Sequence, residues 1–109
     1  MRKRPTLTVG QFIRDARIEQ SLTQNELADK LKKRDGSPLQ QGYLSEIEND
    51  RRNPPDFLVP QLADVLGIEA DRIYLLSGML PPNLALSKEE LDQVVSLFQD
   101  FSKPKRASN

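Results

Sequence analysis

The sequence predicts an all-α fold, and three observations carry that expectation. Apolar residues recur at helical spacing along most of the chain. No segment sustains two-residue alternation between turn dipeptides, and three Ser/Thr-x-x-Glu/Gln boxes stand just before apolar-periodic runs. At 109 residues there is room for one modest core and a small appendage. A content of 37% hydrophobic and 29% charged residues suits a globular chain and is too apolar for wholesale disorder.

A first helix is expected over 9–20, with Thr8 as N-cap, Gln11 completing a capping box, and Val9, Phe12, Ile13 and Ala16 on one core-facing stripe. The stretch "SLTQNELADKL" announces a second. Thr23 and Glu26 form its box, Leu22 and Leu27 its hydrophobic staple, and Leu27, Ala28 and Leu31 its buried side. "KKRDGSP" then interrupts the periodicity with a charge run, a glycine and a proline, which reads as a surface turn.

A third helix spans about 40–49 and stops before "DRRNPP", because two prolines forbid its continuation. The fourth covers about 56–66 with Leu58, Leu62, Val65 and Leu66 inward and Gly67 as its stop; Pro60 in its early turns calls for a late start or a bend. The fifth, about 69–76, buries Ile73 and Leu76. After the stiff connection "MLPPNLAL", Ser87 and Glu90 box a sixth helix, with Leu86 and Leu91 as staple and Leu91, Val94, Val95, Phe98 and Phe101 along one face.

Cysteine and histidine are both absent. Their absence removes disulfides, thiolate metal sites, the common zinc ligands and the usual general base, so no metal or cofactor is expected. Glu46 and Glu48 are the nearest thing to a carboxylate pair, but residues two apart on a helix diverge by about 200°. No Gly-rich phosphate loop occurs either, and an enzyme is not expected. No apolar run approaches the roughly 20 residues that span a bilayer, and "MRKRPTLTVG" lacks the apolar core of a signal peptide. The expected location is cytoplasmic, with no membrane partner.

Charge is unevenly placed on a chain of net charge zero. Residues 1–54 hold eleven Lys/Arg against eight Asp/Glu, and residues 55–109 hold five against eight. Any anionic partner is thereby directed to the N-terminal half. Within that half, a helix, a turn and a second helix flanked by packing helices are the ingredients of a helix-turn-helix unit.

On the motifs "LTQNELA" (22–28), "YLSEIEN" (43–49), "RRNPP" (51–55) and "LADVLGI" (62–68), in that order, the chain resembles the Xre family of phage-repressor and Cro-like transcriptional regulators. The resemblance covers about 8–80 and implies a five-helix domain whose third helix enters the DNA major groove. It places Gln41, Gly42, Ser45 and Glu46 where the family reads bases. Gln41 can pair with adenine N6/N7, Ser45 with several bases, Glu46 with cytosine N4, and Gly42 admits close backbone approach. Phosphate contacts are implied for Gln24, Tyr43, Asn49, Arg51 and Arg52. Arg17 and Glu48 match a family pair that ties the first helix to the third.

Two departures stand out. The turn between the second and third helices is about six residues longer than the family's, so either the second helix runs on through Lys33 or the turn protrudes toward the DNA backbone. Asp50 stands where the family prefers glycine. The basic cluster Lys30, Lys32, Lys33 and Arg34 reads as a solvated turn, a backbone contact or a partner surface.

The expected organisation is a flexible basic arm over 1–7, a DNA-binding domain over 8–80, a linker over 81–86, an amphipathic helix over 87–101 and a tail over 102–109. Leu91, Val94, Val95, Phe98 and Phe101 are dimerisation candidates, since one helix-turn-helix module buries little DNA and the family binds paired half-sites about 10 bp apart. The expected function is a sequence-specific regulator, a homodimeric repressor on an inverted repeat of double-stranded DNA, with room for a regulatory protein partner. The competing reading is a protein-interaction adaptor or antitoxin-type module that uses the C-terminal helix.

Overall fold

A computed structural model of the chain describes residues 7–79 and 84–102, the last two of these by backbone alone. Residues 1–6 of the expected arm, 81–83 of the expected linker, 103–109 of the expected tail and the Phe101 side chain lie outside the described residues or side chains. Six helices follow in order: α1 (Val9–Glu19), α2 (Gln24–Lys30), α3 (Gln41–Glu48), α4 (Val59–Leu66), α5 (Ala70–Leu76) and α6 (Lys88–Ser102). The fold is all-α, a five-helix domain followed by a C-terminal amphipathic helix. Among the described residues, no helix is long and apolar enough to cross a membrane.

α1 is the hub. It packs on α3, α4 and α5, while α2 packs on α3 and α4 on α5. Ile13, Leu27, Leu31, Leu44, Ile47, Leu58, Val59, Leu62 and Ile73 are fully buried between these helices. Each such aliphatic side chain contributes about 1.5–3 kcal/mol by leaving water. That shared core, more than the propensity of helices only 7–11 residues long, holds the five together.

Local signals set where the helices start. Thr23 accepts from the Glu26 N–H and the Glu26 carboxylate accepts from the Thr23 N–H, so α2 has its full box, as does α6 through Ser87 and Glu90. At α1 only half the expected box forms: Thr8 accepts from the Gln11 N–H at 3.1 Å, with no bond returned by the Gln11 side chain among the described residues. α4 begins late, at Val59, which puts Pro60 in its first turn, where the missing N–H costs no helical bond. In α5, Tyr74 joins Ile73 in the core, and Leu76 packs partly buried against it.

The long turn is not a continuation of the second helix through Lys33, the first of the two sequence expectations. α2 stops at Lys30, and residues 32–38 form a small β-hairpin joined by a bridge between Lys32 and Pro38. The Lys33 carbonyl accepts from Gly36 N–H at 2.9 Å and the Lys33 N–H donates to Ser37 O at 2.7 Å, with Gly36 at φ 88°. This is a tight turn followed by a left-handed glycine, the usual three-residue hairpin loop. Gln61 on α4 anchors it: its carboxamide accepts from the Lys32 N–H and donates to the Lys32 carbonyl.

Candidate nucleic-acid interface

α3 has two unlike faces. Leu44 and Ile47 are fully buried, and Glu48, though charged, is 6% exposed. Gln41, Gly42 and Glu46 are exposed on the other side and Ser45 is partly so. A buried carboxylate is tolerable only with its charge and lone pairs answered. Glu48 meets that condition. Arg17 grips it with two bonds, Nε to Oε2 at 2.7 Å and Nη2 to Oε1 at 3.0 Å, and Gln24 Nε2 donates a third at 2.9 Å. Arg17 Nη1 also donates to the Leu22 carbonyl at 2.8 Å. One guanidinium therefore ties α1, the loop before α2 and α3 together.

The same network reaches the outer face. Gln41 Nε2 donates to Gln24 Oε1 at 2.6 Å, so an exposed side chain is held through Gln24 to the buried pair. The bond occupies one of the two amide hydrogens of Gln41. Its other hydrogen and its carbonyl oxygen remain for a donor–acceptor edge such as that of adenine.

The C-terminal end of α3 is fixed just as firmly. Asn49 caps it, Asp50 takes the left-handed conformation at φ 60°, and Asp50 and Arg51 return N–H bonds to the Ile47 and Glu46 carbonyls, a Schellman ending. Glycine is the ordinary residue at such a position because a Cβ costs energy there. Here the carboxylate offsets that cost, since Asp50 Oδ1 accepts from Gly10 N–H at 2.9 Å at the start of α1. A Cβ on Gly10 would lie 2.5 Å from Ile47 O and 2.6 Å from Glu48 O. The two helix backbones thus meet at a glycine, and an acid where the family prefers glycine closes the joint.

The remaining site residues form a polar patch past that joint. Arg52 Nε donates to Glu46 Oε1 at 2.8 Å, and its guanidinium lies 4.4 Å over the Tyr43 ring. The Glu46 carboxylate, by accepting that bond, holds the Arg52 pKa above its ordinary value. Asn49 donates to the Ser45 carbonyl and hydroxyl, and Arg51 is exposed. Gly42 lies within α3 with nothing within 4 Å of where its Cβ would be.

The structure thus gathers Gln24, Gln41 and Glu48 into one chain of bonds and Tyr43, Glu46 and Arg52 into another. The sequence motifs point to the members of both groups but not to the Gln24–Gln41 and Glu46–Arg52 bonds, which cross between elements. They also give no role to Asp50 and Gly10.

A short helix, a connecting segment and a second helix, locked from behind and polar in front, define a helix-turn-helix protein. The chain belongs to that family, whose model, described as helix-turn-helix, matches residues 13–73. Over 88 residues it is 38% identical to the immunity repressor protein of Bacillus phage phi105, covering 79% of this chain and 57% of that protein. Two uncharacterized HTH-type transcriptional regulators from two strains of Mycobacterium tuberculosis are each 30% identical over 74 residues, 68% of this chain and 49% of theirs. The chain spans about half the length of the curated relatives it matches.

Proposed function

We propose that the chain is a non-enzymatic, sequence-specific DNA-binding transcriptional regulator, a repressor that inserts α3 into the major groove of an inverted repeat. The observation that carries this reading is the division of α3 between a locked inner face and an exposed outer face of Gln41, Gly42, Ser45 and Glu46. A helix whose aim is fixed by a buried ion pair is a rigid reading head, and rigidity lowers the entropic cost of docking. The similarity to a phage immunity repressor supports the repressor polarity.

Gln41, held by Gln24, is the adenine reader. The Glu46–Arg52 pair is half-exposed at both ends, and solvent screens such a pair to little net stability, so DNA can separate it. Glu46 then accepts from a cytosine amine, and Arg52 joins Arg51, Tyr43 and Asn49 in positioning phosphates. Dimerisation through the apolar side of α6 supplies the second half-site. Leu91 and Val95 on that side are 50% and 43% exposed, a large apolar exposure for a helix of a single chain.

Selection of bound DNA from a random pool tests the whole reading. A motif repeated in inverted orientation with centres about 10 bp apart is the expected result. The Gln41→Ala variant should lose about 1–3 kcal/mol at one base position and relax its sequence there, while keeping its fold. No enriched motif at any salt, with an intact protein-binding surface on α6, would instead make the chain an adaptor or antitoxin-type module.

A further inference from the structure

We infer that the hairpin of residues 32–38 is a second DNA-backbone contact, with Lys33 and Arg34 gripping phosphates beside the N-terminal end of α3. The inference deepens the regulator reading and rests on it. Its first support is position. Leu39 N–H donates to the Leu31 carbonyl at 2.9 Å, so the hairpin closes one residue before Gln40, the N-cap of α3. The end of α3 that carries Gln41 and Gly42 is therefore the end from which the hairpin projects. A major groove is about 12 Å wide, so a phosphate ridge runs within several ångströms of any helix lying in it. Two or three residues of extended chain at about 3.3 Å each cover that distance.

Charge points the same way. Residues 30–38 hold four cations, Lys30, Lys32, Lys33 and Arg34, against one carboxylate, Asp35. The rest of residues 7–54 holds four cations against seven carboxylates. α3 itself contributes Glu46 and Glu48 and no cation. Glu48 is neutralised by Arg17, and Glu46 offsets Arg52. Against a polyanion, the excess positive charge next to the reading helix resides, Arg51 apart, in the hairpin.

Side-chain geometry leaves that charge available. Lys32, Lys33 and Arg34 are exposed, and the ion pairs among the described residues, Arg17–Glu48, Arg52–Glu46 and Arg72–Glu69, involve none of the three. The Arg34 guanidinium lies 4.5 Å over the Phe57 ring, which orients it while leaving its N–H edges for a phosphate. Asp35 is turned back on the loop, its Oδ1 accepting from the Ser37 N–H at 3.0 Å and hydroxyl at 2.6 Å. Gln61 holds the hairpin against α4 by two bonds to the Lys32 backbone. The element is thus preformed and bears its cations outward.

The test uses the full chain and the DNA that it selects. Affinity is measured between roughly 50 and 200 mM salt for the parent and for the Lys33→Ala/Arg34→Ala variant, on the selected DNA and on a scrambled duplex. Removing one phosphate interaction should flatten the log–log salt slope by about 0.9, so the double variant should be shallower by nearly two. Affinity should fall alike on both duplexes, with the preferred motif unchanged. Lys33→Gln, which leaves the Arg34–Phe57 stacking alone, should flatten the slope by about one and carries the test if the double variant unfolds. A parent that binds with a steep salt slope, matched by both variants, overturns the hairpin's role and leaves the regulator reading standing. A parent without salt-dependent DNA binding sinks both.

Discussion

α3 and α6 are both amphipathic helices with a clean apolar stripe, yet the fold treats them oppositely. In the eight residues of α3 the stripe of Leu44 and Ile47 is fully buried. In the fifteen residues of α6, Leu91, Val95 and Phe98 are 43–50% exposed, and a mainly apolar groove of about 300 Å³ opens between α6 and α5, lined by Asp71, Leu75, Leu84, Leu86, Val94, Leu97 and Phe98. Periodicity says that a face needs covering, not what covers it. α3 is covered by α1 and α2 and turns its polar side outward; α6 leaves Leu91 and Val95 about half-exposed. On the proposed reading, α3 reads DNA and α6 joins two copies of the chain.

The contrast can be broken at its stronger end first. Leu44→Ala removes a fully buried side chain from the inner face of α3 and should cost about 3–4 kcal/mol, visible as a lower urea midpoint at unchanged slope. Arg17→Ala strips the guanidinium from a carboxylate whose side chain is 2% exposed, leaving Gln24 alone to answer it. Breaking a buried pair this way should cost about 3 kcal/mol and weaken DNA binding even at temperatures where the variant is folded. A loss of stability with full DNA affinity would show that α3 is aimed by packing alone.

At the weaker end, Leu91→Lys together with Val95→Lys should move the unfolding of an isolated monomer by only about 0.5 kcal/mol. The same change should convert a dimer to monomers in sedimentation and abolish any dependence of melting on protein concentration. Unchanged sedimentation would place the association surface elsewhere and blur the contrast between the two helices.

The helices and their starts are legible in the sequence because their signals are local. Thr23 with Glu26, Ser87 with Glu90 and the stripes of α1 and α2 each lie within one or two turns of chain. The Gln11 half of the first box does not form although its spacing is right, since spacing permits a side chain to reach back and does not compel it. The hairpin escapes a reading of the sequence although Asp35-Gly36 is a strong hairpin dipeptide. Its flanks are too short to show alternation, and what holds it is Gln61, twenty-nine residues away from Lys32. Asp50 looks like a departure from pattern for a similar reason: its partner, Gly10, is forty residues distant. Within the candidate site, residue types are readable from the motifs. The bonds between Gln24 and Gln41, and between Glu46 and Arg52, depend on the angle between elements, which no local pattern encodes.

Gly42 has a consequence of another kind. It lies in a helix, has no neighbour where a Cβ would sit, and is not among the residues with positive φ. Alanine in a helix is more stable than glycine by up to about 1 kcal/mol, so selection for folding alone would tend to replace it. On the DNA-reading proposal, the missing side chain lets a base approach the α3 backbone closely. The position is also a vacancy in an evolutionary sense: a new side chain there meets no steric objection from the core behind it. If α3 reads DNA as proposed, a substitution at this one position can alter recognition while the scaffold that aims the helix stays untouched.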